Sequence, residues 1–298
     1  GPTVGQYLVD RGYGAAFRDE HLIPLAAALW SAPPSRIRDF PAQYLVRFMA
    51  NHQMLQLRAR APWRVVCGGS ASYVRALRAR WKVDERLSCG VRSVRRGNGI
   101  VHVATDTGTE RFDHIVLACH SDQSLDILAD TSDRERAILG SIPYQDNEVV
   151  LHTDASLLPV ERKAWAGWNA FIPPTPHEPC TVSYCMSLLQ DLTSREPLIV
   201  TLNRSVDIDP AKVLRRMHYR HPVYTHSSVA AQSRRAEIQG QRNTWFAGAY
   251  WGWGFHEDGL RSAVEVCGSL GVDSPGVARK HDSAPERPAA TPPVEVAA

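Results

Sequence analysis

Apolar side chains recur at helical spacing near the amino end of the chain. The segment 22–30 is strongly apolar and is followed by Pro33 and Pro34, and a second apolar face runs from Pro41 to Leu55. Apolar residues that repeat every three to four positions predict helices with one packed face, and paired prolines end such a helix. The pattern therefore predicts a helical region over residues 3–60.

Farther along, the pattern changes to short apolar or alternating runs. These runs predict strands, and they lie at residues 63–67, 87–94, 101–105, 112–119, 147–152, 181–186 and 198–202. Asn98-Gly99 predicts a tight hairpin turn, whereas residues 210–219 predict a short helix. Residues 273–298 contain five prolines and almost no large apolar side chain, so we expect a disordered tail there.

The charge balance and the cysteine pattern narrow the class of protein. The 34 basic and 31 acidic residues are mixed along the chain, which argues against a nucleic-acid partner. No apolar run approaches the roughly 20 residues that span a bilayer, so we expect no integral membrane segment and a cytoplasmic location. The six cysteines form no CxxC pair, and we expect them to be reduced, buried and inert.

The segment 244–260 carries the strongest signal for a bound ligand. We expect a buried strand that ends in a turn rich in glycine and then opens a helix, whose free N–H groups favour negative charge. Glycines let a ligand approach the backbone closely, and they stand at Gly248, Gly252, Gly254 and Gly259. The neighbouring Trp251, Trp253 and Phe255 would supply planar walls. The segment predicts a large aromatic cofactor with a polar or anionic edge; the alternative is a tryptophan-rich core without a ligand.

Several long and unusual motifs together resemble one family. The motifs are WRVVCGGS at 63–70, FDHIVLACHSD at 112–122, LHTD at 151–154, WAGWN at 165–169, YRHPV at 219–223 and GFHEDGL at 254–260. They are similar to those of the bacterial predicted NAD/FAD-binding proteins of the flavin-containing amine oxidase superfamily, over nearly all of residues 3–272. The resemblance implies a mixed α/β (α+β) fold. An incomplete doubly wound FAD-binding domain would be interleaved with a substrate domain of helices and an antiparallel sheet.

The resemblance also implies domain boundaries and cofactor contacts. Residues 3–60 would form the helical part of the substrate domain, 61–138 a segment of the FAD-binding domain, 139–238 the substrate-domain sheet and 239–272 the carboxyl-terminal FAD-binding segment. The implied cofactor-binding residues are Gly68, Gly69, Val91, Cys119, Gly248, Gly254, Phe255, His256 and Glu257. The N–H of His256 would face the pyrimidine edge of the flavin, where the reduced ring gathers negative charge.

One part of the family pattern is missing. Relatives begin with a βαβ unit whose GxGxxG turn holds the diphosphate of FAD, and this sequence contains no GxGxxG. We therefore expect a truncated chain, or a processed one, that needs an N-terminal FAD-binding unit in cis or in trans. By itself, the chain is predicted to bind FAD weakly or not at all.

The resemblance leaves the reaction open between three classes. Many amine oxidases use a lysine to hold a water beside the flavin, and the matching segment 146–152 has none. An aromatic-rich, weakly charged chain suits an apolar substrate, so we favour a desaturase-like or related redox reaction on a small hydrophobic compound such as a fatty-acyl compound. The alternatives are an amine or amino-acid oxidase, and a non-catalytic flavoprotein-like binding or scaffold protein.

The catalytic residues are not identified, but three candidates are His152, His256 and Trp253. His152 stands beside Asp154 and would carry a proton, with a hydrogen-bonded structural histidine as the alternative. Trp253 would form an aromatic wall or fill the core.

Other polar residues have weaker claims to a role. Tyr144 and Asn169 would line the pocket or cap loops. Three histidines have the spacing of a metal site, but no carboxylate or cysteine completes a tetrahedral set, so we expect no metal at His218, His221 and His226.

Overall fold

The computed structural model describes residues 1–56, 64–172 and 181–272. The predicted tail 273–298 lies outside the described residues, as does Trp63, where one predicted strand begins. The helices are α1 (Val4–Asp10), α2 (Ile23–Trp30), α3 (Pro34–Arg38), α4 (Ala42–Asn51), α5 (Ala71–Arg78), α6 (Ser121–Ile127), α7 (Asp133–Leu139), α8 (Met186–Leu189), α9 (His226–Ser233) and α10 (His256–Ser269). A π-helical segment, Ala16–Leu22, leads into α2. No helix in these ranges is long and apolar enough to cross a membrane.

The first four helices pack around one aromatic cluster, and the apolar faces of α2 and α4 were predicted from the sequence. Trp30 at the end of α2 packs edge-on against Phe40, with ring centroids 5.4 Å apart, and lies 4.7 Å from Phe48. Tyr224, far along the chain, is fully buried in the same cluster. The helical region is therefore held to the later part of the chain by shared burial of aromatic rings.

The strands form three separate sheets within the described residues. An antiparallel sheet has the order β1-β2-β3, a parallel pair joins β4 to β10, and an antiparallel sheet of five strands has the order β6-β7-β8-β5-β9. Their bounds are β1 (Val91–Gly97), β2 (Ile100–Thr105), β3 (Gly108–Phe112), β4 (Ile115–Leu117), β5 (Tyr144–His152), β6 (Trp168–Phe171), β7 (Thr181–Cys185), β8 (Ile199–Leu202), β9 (Val213–Pro222) and β10 (Thr244–Phe246). This combination confirms the predicted mixed α/β class.

Several local predictions are confirmed and others are wrong. The hairpin between β1 and β2 turns at Asn98 and Gly99, which both adopt positive φ (52° and 74°) as a tight turn requires. The single strand predicted over 112–119 is wrong, because β3 ends at Phe112 and pairs with β2, while β4 pairs with β10. Residues 64–67 form no strand.

The helix predicted over residues 210–219 is also wrong. Only a single 3-10 turn, Pro210–Lys212, precedes strand β9. β9 pairs with β5 from Tyr144 opposite Pro222 to His152 opposite Val213. This long ladder of backbone hydrogen bonds outweighs a local helical preference of a few tenths of a kcal/mol per residue.

A buried ion network joins β1 to α7 and to the parallel pair. The guanidinium of Arg96 contacts both carboxylate oxygens of Glu135, and its Nε lies 2.9 Å from Asp130 Oδ1. Asp130 also accepts from Arg242, 2.5 Å away, just before β10. The side chains of Arg96 and Glu135 are 1% and 2% exposed, so the network adds charge-assisted hydrogen bonds to the apolar packing of these elements.

Candidate functional site

The amino end of α10 presents two unused backbone donors. Asp258 in its first turn accepts from the N–H groups of Trp253 (3.0 Å) and Phe255 (3.1 Å). The N–H groups of His256 and Glu257 have no acceptor among the residues that the structure describes. Because α10 has 14 residues, its dipole adds to these donors. This helix start therefore offers donors to a polar or anionic ligand edge, and contact of His256 and Glu257 with a flavin stays a prediction.

The glycines before α10 have a different role from the predicted one. An added Cβ at Gly248 would meet the ring of Tyr250, and at Gly252 the carboxylate of Asp258. At Gly254, whose φ is 94°, it would lie 2.7 Å from the hydroxyl of Tyr224. The space beside these three glycines is thus filled by the protein's own side chains. The missing side chains at these positions make room for the protein's own residues, and close approach of a ligand to this backbone stays a prediction.

The aromatic residues of the bend also pack within the protein. Trp253 stands edge-on to Phe48, with ring centroids 5.9 Å apart, and its carbonyl accepts from Trp30 Nε1. Phe255 stacks on Phe48 at 5.5 Å. Trp251 donates to the carbonyl of Phe246. Core filling, the alternative weighed for Trp253, describes these contacts.

Two further predicted residues line a groove beside β4: Val91 begins β1, and Cys119 follows β4. Val91 and Cys119 line one open groove of about 820 Å³, together with Phe112, Ile115 and Val116. Val116 is 45% exposed, which is unusual for a residue in the middle of a parallel strand. The N–H of Ala247 donates to the carbonyl of Leu117, so the end of β4 is hydrogen-bonded to the start of the bend. Val91 and Cys119 thus line the same groove, and their contact with a cofactor stays a prediction.

Gly68 and Gly69 form an exposed turn before α5. Both have positive φ (75° and 76°), a backbone conformation that favours glycine. From α5, the hydroxyl of Tyr73 lies 3.1 Å from Nδ1 of His256. The glycine turn is therefore connected through one short helix to the start of α10.

His152 is placed as a structural histidine. It is fully buried, its Nε2 lies 2.8 Å from Thr201 Oγ1, and its Nδ1 accepts from the N–H of Asp154 at 3.1 Å. Burial lowers the pKa of His152. Burial alone would raise the pKa of Asp154, but hydrogen bonds, first from the N–H of Asp209, outweigh it and lower that pKa. With both ring nitrogens engaged, His152 has no atom left for a substrate.

A polar group at the end of β4 was only partly recognised in the sequence. His120 stacks on Tyr144 with ring centroids 4.5 Å apart, and Tyr144 Oη accepts from the N–H of Ser121 at 3.0 Å. Burial raises the pKa of Tyr144 to about 12 and lowers that of His120. Tyr144 was a predicted pocket residue, while His120 was noticed only inside a motif. His120 precedes α6 and Tyr144 begins β5, and stacking between residues of two separate elements has no sequence signal.

The histidines considered for a metal do not converge. His218 and His221 lie three positions apart on β9 and therefore on opposite faces of the sheet. His226 Nε2 lies 2.9 Å from the carbonyl of Gly1. In residues 1–56, 64–172 and 181–272, no group of three or more His, Cys, Asp or Glu side chains could hold a metal ion.

The cysteines differ from one another in exposure. Cys185 is buried, as predicted for all six, but Cys67 is exposed. The expectation of uniform burial is wrong because Cys67 lies in the surface turn before α5 rather than in a strand.

The comparison with protein families gives a match at the amino-terminal half. The model of the flavin containing amine oxidoreductases matches residues 9–153. The resemblance to the flavin-containing amine oxidase superfamily is confirmed. FAD is accordingly the cofactor indicated at the level of this superfamily. No curated protein sequence matches the chain.

Solved structures of flavin enzymes share the fold. A CLA-producing fatty acid isomerase from P. acnes is 16% identical with a TM-score of 0.61, and the match covers 91% of this chain and 67% of the isomerase. Cyclohexylamine oxidase from Brevibacterium oxydans is 13% identical with a TM-score of 0.56, covering 91% and 68%. A variant of putrescine oxidase is 12% identical with a TM-score of 0.60, covering 90% and 68%. The chain spans about two thirds of the length of each enzyme.

Proposed function

We propose that this chain is the substrate-binding and flavin-contacting part of an FAD-dependent oxidoreductase that acts on a small apolar compound. The observation that carries the proposal is the start of α10, where the N–H groups of His256 and Glu257 are unused. When bound, FAD would supply hydride acceptance. The chain would contribute fixed donors that stabilise negative charge at the pyrimidine edge of the ring. The match to the flavin-containing family supports the same assignment.

The chain needs a second unit to hold the remainder of FAD. We expect this unit to dock at the free edge of β4. β10 is covered on its outer side, because Gln239 exchanges hydrogen bonds with both backbone groups of Phe246 and Gly240 donates to Thr244. Among the described residues, β4 has no neighbour besides β10. Parallel sheets are normally buried on both faces, so an isolated parallel pair with an exposed Val116 fits a further parallel strand from a GxGxxG unit.

An apolar substrate is favoured by the five-stranded sheet. Its register places partly exposed apolar side chains on one face, and these are Leu151, Trp168, Tyr184, Val200 and Met217. Of the lysines that the structure describes, Lys212 pairs with Asp154 and lies outside this face. We therefore still favour a desaturase-like or related redox reaction. The alternatives stay an amine or amino-acid oxidase and a non-catalytic binding protein.

Titration with FAD tests the cofactor assignment. We expect the 298-residue chain alone to quench flavin fluorescence weakly, and the same chain fused behind a βαβ unit with a GxGxxG turn to bind FAD stoichiometrically. Val116→Pro in the fusion removes a backbone hydrogen-bond donor at the edge of β4, and it should abolish the stoichiometric binding of FAD. Val206→Pro is a control at an exposed turn away from the groove. Tight binding by the unfused chain would refute the need for a second unit, and a fusion that folds without binding FAD would refute the function.

Anaerobic bleaching of the flavin tests the substrate class. The fusion with FAD should be reduced by a fatty-acyl compound such as decanoyl thioester faster than by decylamine. Bleaching by decylamine with release of hydrogen peroxide in air would favour the amine oxidase alternative. A fusion that binds FAD but is bleached by neither compound would favour the non-catalytic alternative.

A further inference from the structure

Three amides and one histidine form a connected hydrogen-bond chain at one end of the five-stranded sheet. Gln145 and Asn147 are on β5, Asn203 follows β8, and His221 is on β9. Asn147 is 1% exposed and lies at the centre of the chain of bonds. None of these residues is used by the flavin-contacting helix start described above.

The direction of every bond follows from one backbone group. The N–H of Glu148 can only donate, so Asn203 Oδ1, 2.9 Å away, is the acceptor. Asn203 Nδ2 is then the donor to Asn147 Oδ1 at 2.6 Å. Gln145 Nε2 agrees with this orientation, because it donates both to the carbonyl of Ser31 (3.2 Å) and to Asn147 Oδ1 (3.3 Å).

The same logic determines the tautomer of His221. With its oxygen engaged, Asn147 turns its Nδ2 toward His221 Nδ1, 2.8 Å away. Nδ1 must therefore accept, and the proton of the neutral ring is on Nε2. Burial, with the nearby His120, lowers the pKa of His221, so the ring is neutral near pH 7. Nε2 has no partner among the described residues, and His221 is partly exposed.

His221 lies on the same face of the sheet as Val149 and Met217, which pack in one apolar cluster with Ala28 of α2. It lies opposite Gln145 of β5. The next residues of β5 on this face are Asn147 and Val149, and Val149 lies opposite Met217 of β9. The charged Arg220 points to the other face, where it pairs with Asp146. A neutral N–H donor beside apolar side chains suits a ligand that carries a hydrogen-bond acceptor at the end of a hydrocarbon tail.

We propose that the Nε2–H of His221 is a fixed hydrogen-bond donor that recognises a carbonyl or carboxylate oxygen of the substrate, so the site selects acyl compounds against amines. This inference rests on the proposed function for the apolar substrate and names its chemical class. A protonated amine offers only donors, and it would leave the Nε2–H without an acceptor. Asn147 is the positioning residue, since it acts only through the tautomer of His221.

Nitrogen NMR of the 298-residue chain with ¹⁵N-labelled histidine tests the tautomer directly. The unprotonated nitrogen of His221 should be Nδ1 near pH 7. In Asn147→Asp, the new carboxylate can only accept, so Nδ1 should gain a proton. A protonated Nδ1 in the unaltered protein, or no change in the variant, would overturn the positioning role.

Ligand titration tests recognition. The probes are 2-decanone, decanoic acid and decylamine, followed by tryptophan fluorescence. The ketone should bind more tightly than the amine, and His221→Phe should weaken ketone binding about three- to tenfold, the loss of one hydrogen bond. His218→Phe, on the opposite face of β9, is the matched control and should leave it unchanged. The uncharged ketone excludes attraction to Arg215, which is exposed on the same face opposite Leu151.

Two outcomes separate this inference from the proposed function. Ketone binding that is unchanged in a folded His221→Phe, or amine binding as tight as ketone binding, would overturn the donor role. The NMR and ketone titrations need no flavin. If both succeed while the fusion fails to bind FAD, the proposed function is lost and His221 remains a donor site.

Discussion

The buried pair of Arg96 and Glu135 predicts a large loss of stability on a small chemical change. Glu135→Gln keeps the shape of the side chain and removes its charge. The guanidinium would keep Asp130 on one side, but it would lose the negative charge of Glu135 on the other. Breaking a buried ion pair costs about 3–5 kcal/mol. We expect about 3 kcal/mol here, the lower end of that range, because Asp130 still compensates part of the charge.

Urea unfolding followed by circular dichroism would measure this loss. A loss of about 3 kcal/mol corresponds to a melting temperature lower by roughly 6–12 °C for a chain of this size. Asp106→Asn is the matched control, because its pair with Arg92 has side chains 68% and 66% exposed and should change stability by less than about 0.5 kcal/mol. Equal effects of the two substitutions would refute the reasoning. Replacing both members of the buried pair, as in Arg96→Met with Glu135→Leu, should recover much of the loss.

Other predictions follow from the bend and from the same ion network. Gly248→Ala and Gly252→Ala each add a methyl group against a packed side chain and should destabilise by about 1–3 kcal/mol in thermal unfolding. Gly268 of α10 has open space beside it, so Gly268→Ala should stabilise the protein by up to about 1 kcal/mol. A lower stability of this variant would contradict the explanation by contacts of the added methyl group. Hydrogen bonds and the charge of Arg96 outweigh burial and lower the pKa values of Glu135 and Asp130. The stability they contribute is therefore present above pH 4.5, the ordinary pKa of Glu135, and lost as pH falls below it. In the double variant Arg96→Met with Glu135→Leu, the free energy of unfolding should fall less steeply as the pH is lowered.

The helices near the amino end were predictable because their causes are local. A capping box at Thr3 and Gln6 starts α1, and an apolar face repeats within each short segment. The turn at Asn98 and Gly99 is similar, since two residues with positive φ decide its type. Such signals lie within a few positions of each other, so reading the chain in order is enough.

The candidate site was predicted less completely. A helix starts at His256 and Cys119 lies just after β4, as the sequence predicted, but the glycines before α10 face Tyr224, Tyr250 and Asp258. A glycine that admits a ligand and a glycine that admits a neighbouring side chain are identical in sequence. Only the packing of distant residues distinguishes them.

By itself, the amino-acid sequence determined the fold class, the family resemblance and the elements whose stability is local. The tertiary structure decided that residues 213–222 extend along β5 and that, in the part of the chain that the structure describes, β4 pairs on one edge only. It also decided that the proton of His221 is on Nε2. The physical reason is that pairing and hydrogen-bond direction depend on partners tens of residues away, and their free energy outweighs the weak preferences of any single segment.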